Sequence, residues 1–243
     1  MAIAFLRLTR RFLTLALVAG VGLTMLLVYV MPRLAPQDLP WTPLDIDAPI
    51  GLATATKISA LDAPACRLLL HQGNIAYRPL ANTRRGQCGL DDGIAWTGGG
   101  RRLIRYAPPK PPLACPLAVA LTLWEREVVA PAALQRFGAR VVAIEHYGSY
   151  SCRRMYGRPT GDWSEHARAR AIDISGFELS NGRRITVARD WQGAGAASLF
   201  LHDVRDGACR LFATTLSPDY NEAHRDHLHL DEAKRGAMWR ACR

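Results

Sequence analysis

The stretch YNEAHRDHLHLD, residues 220–231, decides how this chain folds. Its last residues alternate in character, because the polar residues His227, His229 and Asp231 are separated by two leucines. Successive side chains of a β-strand point to opposite faces, so the pattern predicts a strand whose leucines face the core and whose polar groups share the other face. Two imidazoles and a carboxylate on a strand backed by a core form a rigid arrangement suited to a metal ion.

A second stretch, SEHARARAIDISGF at residues 164–177, carries the same signature. Asp173 lies between two isoleucines, which predicts a strand with the carboxylate on the polar face. His166 lies seven residues earlier and is expected to arrive from a loop or turn. His166, Asp173 and His229 would leave the fourth tetrahedral position of a metal for water, as in catalytic zinc sites. A nitrogen and oxygen set without thiolate suits Zn²⁺, although the spacing is compatible with other divalent metals.

Each stretch taken separately is weak evidence, because His-x-His pairs in exposed strands are common in proteins that bind no metal. Three motifs in the right order carry a more specific resemblance. HARARAIDISGF (166–177), GSYSCR (148–153) and PDYNEAHRDHLHLD (218–231) resemble the bacterial extensin-like C-terminal domain family. More distantly, the Ser-x-His, Asp and His-x-His pattern looks like the D-alanyl-D-alanine metallopeptidases and their lysostaphin-type relatives. The resemblance covers roughly residues 66–243.

The resemblance implies a metallopeptidase core of the lysostaphin and hedgehog type that holds zinc. The family's metal ligands fall on His166, Asp173 and His229. His227 falls where the relatives keep a catalytic histidine, while Asp226 stands where some dipeptidases of the group have a glutamate base. The resemblance therefore leaves two candidates for the general base.

Further positions follow from the same resemblance. Arg153 matches, least securely, an arginine that polarises the substrate. Tyr220, His224 and Asp231 are candidates for groups that orient the ligands from behind, or they simply pack. Ala169 stands where the motif usually has glycine, which puts the geometry of that loop in question.

The N-terminus predicts a membrane anchor. Residues 12–31 contain no charge, and at about 1.5 Å rise per residue they span about 30 Å of hydrocarbon. Arg7, Arg10 and Arg11 precede this segment, which favours a cytoplasmic N-terminus and a periplasmic remainder in a bacterial inner membrane. The alternative is a cleaved signal peptide, but the segment exits through Tyr-Val-Met-Pro at residues 29–32, which is a poor cleavage site.

The number and positions of the cysteines are consistent with an exported domain. Their number is even, all follow the apolar segment, and none belongs to a Cys-x-x-Cys pair, so we expect disulfides in an oxidising compartment. The sequence leaves their pairing open. They are Cys66, Cys88, Cys115, Cys152, Cys209 and Cys242.

The charge favours anionic partners. The formal net charge is +10, and a basic exported surface suits the wall polymer or lipid headgroups. Nucleic acid is not an expected partner, because no helix-turn-helix, finger or RNA-binding signature is present. The oligomeric state is left open.

Four segments are predicted along the chain. Residues 1–33 form the cytoplasmic N-terminus and anchor, and the proline-rich residues 34–50 form a tether. Residues 51–112 form a small disulfide-containing subdomain that ends in the polyproline connector 107–112. Residues 113–243 form the metallopeptidase-like domain.

Hydrophobic periodicity predicts a helix over Leu117–Val129 and a second short helix over Ala132–Phe137, with Pro131 ending or kinking the first. Gly138 fits a helix cap, and Val141–Ile144 is predicted to be a buried strand. Strands and helices do not alternate regularly, so the predicted class is α+β, with an antiparallel sheet and flanking helices behind the N-terminal membrane helix.

The predicted function is zinc-dependent hydrolysis of peptide amide bonds in peptidoglycan or its stem peptides, by a carboxypeptidase or an endopeptidase. The first alternative is a non-catalytic wall-binding or scaffolding protein that retains the fold. The second is a membrane-proximal module that acts through its basic surface, with both histidine clusters incidental.

Overall fold

A computed structural model describes residues 2–233 and 240–243 of the chain. The helices are α1 (Ala2–Met25), α2 (Thr54–Ser59), α3 (Ala63–Gln72), α4 (Cys115–Trp124), α5 (Ala130–Phe137), α6 (Val187–Asp190) and α7 (Ala196–Ala208). The strands are β1 (Ile75–Pro79), β2 (Thr83–Arg85), β3 (Cys88–Leu90), β4 (Gly93–Gly100), β5 (Arg105–Ala107), β6 (Leu113–Ala114), β7 (Val141–Gly148), β8 (Ala171–Leu179), β9 (Arg184–Thr186), β10 (Thr214–Leu216), β11 (Leu228–Asp231) and β12 (Ala241–Cys242).

The N-terminal helix is long and apolar enough to cross a bilayer. Helix α1 continues through a π-helical turn at Leu26–Val30, and the segment Thr9–Val30 has a mean hydropathy of 2.3. None of that segment is buried against the rest of the protein. Among the described residues, one helix therefore has the length and composition of the single-pass anchor expected from the sequence.

The segment 34–50, predicted to be a tether, packs against the domain that follows it. The Lys57 ammonium group donates to the Pro36 carbonyl oxygen at 2.9 Å and to the Thr42 hydroxyl at 2.8 Å. Ile46 is only 3% exposed and joins the main core. Several of these contacts use backbone carbonyls, which any residue supplies, so the sequence pattern gave no sign of them.

The main sheet has seven strands in the order β12-β10-β11-β8-β7-β5, with β9 also paired to β8. Its centre is antiparallel, as predicted. Two outer pairs, β5 with β7 and β10 with β12, are parallel. The sheet is therefore mixed rather than purely antiparallel, because β5 and β12 reach the two edges from distant parts of the chain.

Helices cover one face of this sheet. Phe177 on β8 packs edge-on against Phe200 on α7, with 5.0 Å between ring centroids. The indole of Trp124 at the end of α4 lies 6.0 Å from the Phe177 ring and donates its N–H to the Val204 carbonyl oxygen. The α+β class with flanking helices is thus confirmed.

The two predicted helices of the central region form one continuous helical run. Helix α4 begins at Cys115, passes through a π-helical turn at Glu125–Val129 and continues directly as α5. The helical run does not end at Pro131, which was one of the two predicted outcomes. Pro131 has no N–H to donate within the run, and the π-helical turn directly before it is where the regular hydrogen-bond pattern changes. Gly138 caps the run in the left-handed conformation, as expected.

The remaining strands build a three-stranded sheet in the order β1-β4-β6 and a β2–β3 hairpin. The predicted boundary between residues 112 and 113 falls between β5, which belongs to the main sheet, and β6, which belongs to the smaller one. One hydrophobic core contains residues from both sides of this boundary, including Leu70 and Phe177.

All six cysteines are paired, as the sequence predicted. The disulfides join Cys66 to Cys115, Cys88 to Cys152 and Cys209 to Cys242. The first two connect residues before the predicted boundary at 112 with residues after it. The third ties β12 at the C-terminus to the residue that follows α7.

Candidate metal centre

Two adjacent strands and one turn bring the three predicted ligands together. Asp173 on β8 and His229 on β11 are direct antiparallel partners. On the opposite face, the cross-strand pairs Leu228 with Ile174 and Leu230 with Ile172 are fully buried. This is the predicted alternation, because the apolar residues hold the strands against the core while the polar residues face away from it.

His166 comes from a 3₁₀ turn, Glu165–Arg168, that leads into β8. The Ser164 hydroxyl accepts the His166 backbone N–H and caps this turn. Ala169 closes it in the left-handed conformation at φ 51°, with its side chain fully buried. A left-handed backbone favours glycine, which explains why the related motif usually has glycine here. In this chain alanine adopts the same conformation, and the turn is preserved.

The three donor atoms form a small triangle. His166 Nε2 lies 3.2 Å from Asp173 Oδ1 and 3.3 Å from His229 Nδ1, and the last two atoms are 2.8 Å apart. Zinc bonds of about 2.0–2.1 Å in a tetrahedron separate neighbouring ligand atoms by about 3.3 Å. Two of the three separations match this spacing, and the Asp173–His229 pair is about 0.5 Å closer. The donor chemistry suits zinc, and His166, Asp173 and His229 are the residues that could hold it.

Groups behind the triangle fix both imidazoles. His166 Nδ1 lies 3.3 Å from the Ser149 carbonyl oxygen, and His229 Nε2 lies 3.3 Å from Asp231 Oδ2. Asp231 is itself buried and accepts the Ala233 backbone N–H through Oδ1. A second partner of this kind sets the tautomer and orientation of a ligating histidine. Asp231 therefore contacts His229 on the side away from Asp173.

Hydrogen bonds within the triangle shift the pKa values of two of its members. Burial alone would raise the pKa of Asp173, but the hydrogen bonds from His166 and His229 outweigh burial and hold that pKa well below its usual range. Burial opposes protonation of His229, but its hydrogen bonds to Asp173 and Asp231 prevail and raise its pKa to about 9. Without a metal, His229 therefore holds a proton at neutral pH, and an ion that used this ring as a ligand would displace that proton.

His227 lies beside the triangle with its two ring nitrogens in different environments. Its Nε2 is 3.5 Å from Asp173 Oδ1, while its Nδ1 is 2.9 Å from Asp226 Oδ1. Asp226 also hydrogen-bonds the Tyr147 side chain, and the Tyr147 ring packs edge-on against His227. Of the two candidate bases, His227 faces the metal position, and Asp226 binds the far side of His227.

His224 lines the cavity of the site, and Tyr220 packs against His224. The His224 ring is buried and packs 5.2 Å from the His227 ring, and its Nδ1 is 2.7 Å from Asn221 Oδ1. Burial, together with the neighbouring imidazoles of His227 and His229, lowers the pKa of His224 to about 4, which keeps the ring neutral. Tyr220 packs on His224, with 5.6 Å between ring centroids.

A cavity of about 150 Å³ opens onto the triangle. Arg153 lines it, so the predicted arginine reaches the same space as the metal-binding residues. Tyr156 and Trp163 are further lining residues. The Arg154 guanidinium stacks over the Trp163 ring at 4.6 Å, which adds positive charge near the cavity.

Sequence reasoning missed three residues that support the site. Ser149 supplies the carbonyl for His166, Tyr147 contacts both His227 and Asp226, and Asn221 contacts His224. Ser149 and Asn221 lie inside motifs that carried the family resemblance, and Tyr147 directly precedes one of them. The motifs therefore pointed to the right segments. The contact of Ser149 could not be predicted from them, because every residue type has a backbone carbonyl.

Comparison with known proteins gives one match. No curated protein matches the chain, and no solved structure does. The family model for the extensin-like protein C-terminus matches residues 64–243, which is 180 of the 243 residues. The match contains all three disulfides and every residue of the candidate metal centre. The chain therefore belongs to the extensin-like protein C-terminus family.

Proposed function

We propose that this chain is a membrane-anchored zinc hydrolase whose exported domain cleaves peptide amide bonds of peptidoglycan, as a carboxypeptidase or an endopeptidase. One observation carries the proposal. Three donor atoms from His166, Asp173 and His229 converge at the spacing of tetrahedral zinc ligands. A set of three protein ligands is typical of catalytic rather than structural zinc sites.

A zinc ion held by these residues would polarise the scissile carbonyl group and make a water molecule acidic near neutral pH. Asp231 and the Ser149 carbonyl hold the two histidines in the orientation that ligation needs. The strand pair fixes Asp173 against His229, so little reorganisation is required when the ion binds.

His227 is the general acid and base of the proposed reaction. Its Nε2 faces the site, so this atom accepts a proton from the attacking water and returns it to the leaving amine. Asp226 binds Nδ1 and thereby holds the imidazole with Nε2 directed at the reacting atoms. We therefore assign Asp226 a positioning role and the proton transfer to His227.

Arg153 binds the substrate. It lines the cavity, and a guanidinium remains protonated at all physiological pH values. It is placed to clamp a carboxylate of the substrate or to stabilise the oxyanion that develops during hydrolysis. The cavity of about 150 Å³ is smaller than the roughly 300–1,000 Å³ of ordinary ligand pockets, so it would admit only the part of a peptide next to the scissile bond.

The location of the domain supports a wall substrate. A helix with the composition of a membrane anchor precedes it, three disulfides stabilise it, and arginines concentrate before the apolar segment. Together these features favour a periplasmic domain beside peptidoglycan. The antiparallel pairing of the strands that carry Asp173 and His229 supports a relation to the lysostaphin-type core, which is part of this proposal.

The test is digestion of purified cell-wall sacculi by the full chain in mild detergent. We expect released D-alanine or shortened muropeptides by mass spectrometry, with loss of the products in a chelator and recovery on adding zinc. Sacculi that remain intact with zinc-loaded protein would contradict the hydrolase. Binding to sacculi without cleavage would support the non-catalytic wall-binding alternative.

A further inference from the structure

A second cavity, of about 520 Å³, shares no lining residue with the candidate metal centre. This volume lies within the range of small-molecule binding sites. The walls come from the docked segment 34–50, from β1, from the residues between β4 and β5, and from the α4–α5 run with the start of β7. Its lining is mostly apolar and includes Ile46, Ile75, Ile104 and Val142.

The charges deep in this cavity are already neutralised. Arg102 Nη2 lies 2.8 Å from Glu125 Oε1, and both side chains are nearly buried. The Tyr106 hydroxyl donates to the same carboxylate oxygen, and the Arg102 guanidinium stacks on the Trp96 ring at 3.6 Å. The interior therefore offers apolar surface rather than a free charge.

Three arginines mark the edge of the cavity, and two of them are ion-paired. Arg101 pairs with Asp47. Arg126 pairs with Glu127 at 2.6 Å and binds the Ala48 carbonyl oxygen at 2.7 Å. Arg140 also lines the cavity and is exposed. Within residues 2–233 and 240–243, its guanidinium has no hydrogen-bond or ion-pair partner, so a positive charge is available there.

Apolar side chains also stand open to solvent at this edge. Leu103 is 82% exposed and Leu134 is 52% exposed, and both line the cavity. An apolar interior with exposed leucines and a free cation at its edge complements an amphiphile that has an alkyl chain and an anionic head. A fully polar ligand would leave the apolar walls without contacts.

The membrane is the nearest source of such an amphiphile. The docked segment that supplies Ile46 and Asp47 to the cavity wall follows the apolar helix Thr9–Val30. Pro36, six residues after Val30, is fixed to the domain through Lys57. Six residues reach at most about 20 Å, so the domain is held close to the bilayer surface.

We propose that this cavity binds an acyl chain of an anionic membrane phospholipid, whose phosphate is held at the edge by Arg140. The inference takes Thr9–Val30 to be a membrane anchor and does not depend on the proposed hydrolase activity. Bound lipid would hold the domain against the membrane in a defined orientation.

The experiment reconstitutes the full chain into vesicles of phosphatidylethanolamine and phosphatidylglycerol that contain phosphatidylglycerol with a photoactivatable acyl chain. After illumination, mass spectrometry locates the cross-links. We expect them on the peptides that carry Leu103 and Leu134 as well as on the anchor, which serves as the internal positive control. A photoactivatable phosphatidylcholine should label the cavity peptides several-fold less. Cross-links confined to the anchor, or equal labelling by both lipids, would overturn the proposal.

Matched variants distinguish lipid labelling inside the cavity from labelling of the general surface. Leu134→Glu and Arg140→Glu should each reduce labelling of the cavity peptides at least fivefold, while labelling of the anchor stays constant. Leu68→Glu and Arg67→Glu place the same changes at exposed positions of α3 outside the cavity, and labelling should remain at the wild-type level. Unchanged labelling in the first pair would overturn the inference.

Discussion

Asp173 and His229 are direct partners on adjacent antiparallel strands, and Asp173 Oδ1 lies 2.8 Å from His229 Nδ1. A shift of one residue in this register would turn one of the two side chains into the core. The apolar pairs on the opposite face make such a shift costly, because they would then be exposed. The geometry of the candidate metal centre is therefore a consequence of how the core packs.

Replacing His227 by alanine should separate zinc binding from catalysis. We expect kcat to fall about 100- to 10,000-fold, because proton transfer is lost, while zinc binding is retained. Steady-state release of muropeptides and calorimetric zinc titration measure the two quantities. His71→Ala, on the exposed side of α3, should change neither. A His227→Ala enzyme with full activity would exclude this residue as the base.

Asp226→Asn should reduce kcat about 10- to 100-fold and leave zinc affinity unchanged, because in the proposed mechanism Asp226 orients His227. The same substitution made in the His227→Ala background should have no further effect on kcat. This double-mutant cycle distinguishes a positioning residue from an independent base. Additive losses in kcat would show that Asp226 acts on the substrate directly.

The Cys88–Cys152 disulfide should matter for substrate binding, because Cys152 directly precedes Arg153. Replacing both cysteines by alanine should lower the free energy of unfolding by about 2–4 kcal/mol and raise KM. The matched control removes the Cys209–Cys242 disulfide, which should also destabilise the fold but leave KM unchanged. Equal KM values in the two variants would contradict this role.

The buried Glu232 predicts a pH-dependent stability. Burial raises the pKa of Glu232 well above its usual value of 4.5, and the charge of Asp231 adds to the effect. The unfolded chain therefore releases the Glu232 proton at a lower pH than the folded chain. Glu232 consequently contributes most to the free energy of unfolding below pH 4.5, and this contribution is lost as pH rises. Glu232→Gln should consequently raise the free energy of unfolding at pH 8 and change it little at pH 4.

Denaturant unfolding at several pH values measures this effect. The control is Glu222→Gln, since the Glu222 side chain is 84% exposed. A Glu232→Gln variant that is less stable than the wild type at pH 8 and unchanged at pH 4 would show that the carboxylate is stabilised by partners rather than destabilised by burial.

Much of the fold and of the metal centre could be predicted from residue patterns. The alternation at residues 227–231 gave the strand, its core face and its polar face, because a period of two is a local property of the chain. His166 was expected from a turn, and the 3₁₀ turn supplies it. The pairing of the cysteines was beyond the sequence, because pairing depends on how distant segments pack.

The errors also have physical causes. Pro131 was expected to end or kink the helix, and the helix does not end there, because a π-helical turn before the proline changes the hydrogen-bond pattern. The tether prediction for residues 34–50 missed the contacts of Lys57 with backbone and hydroxyl oxygens. The choice between Asp226 and His227 as the base was left open by the family resemblance and stays a prediction. The structure adds that Asp226 Oδ1 lies 2.9 Å from His227 Nδ1, a contact that the sequence did not indicate.

Zinc stoichiometry tests the central claim most directly. The purified full chain, stripped with chelator and titrated with zinc in a calorimeter, should bind one ion per chain. His229→Ala and Asp173→Asn should each abolish this binding while the circular dichroism spectrum stays unchanged, and His71→Ala should bind as the wild type does. Stoichiometric zinc binding that persists in folded His229→Ala and Asp173→Asn would contradict the assignment.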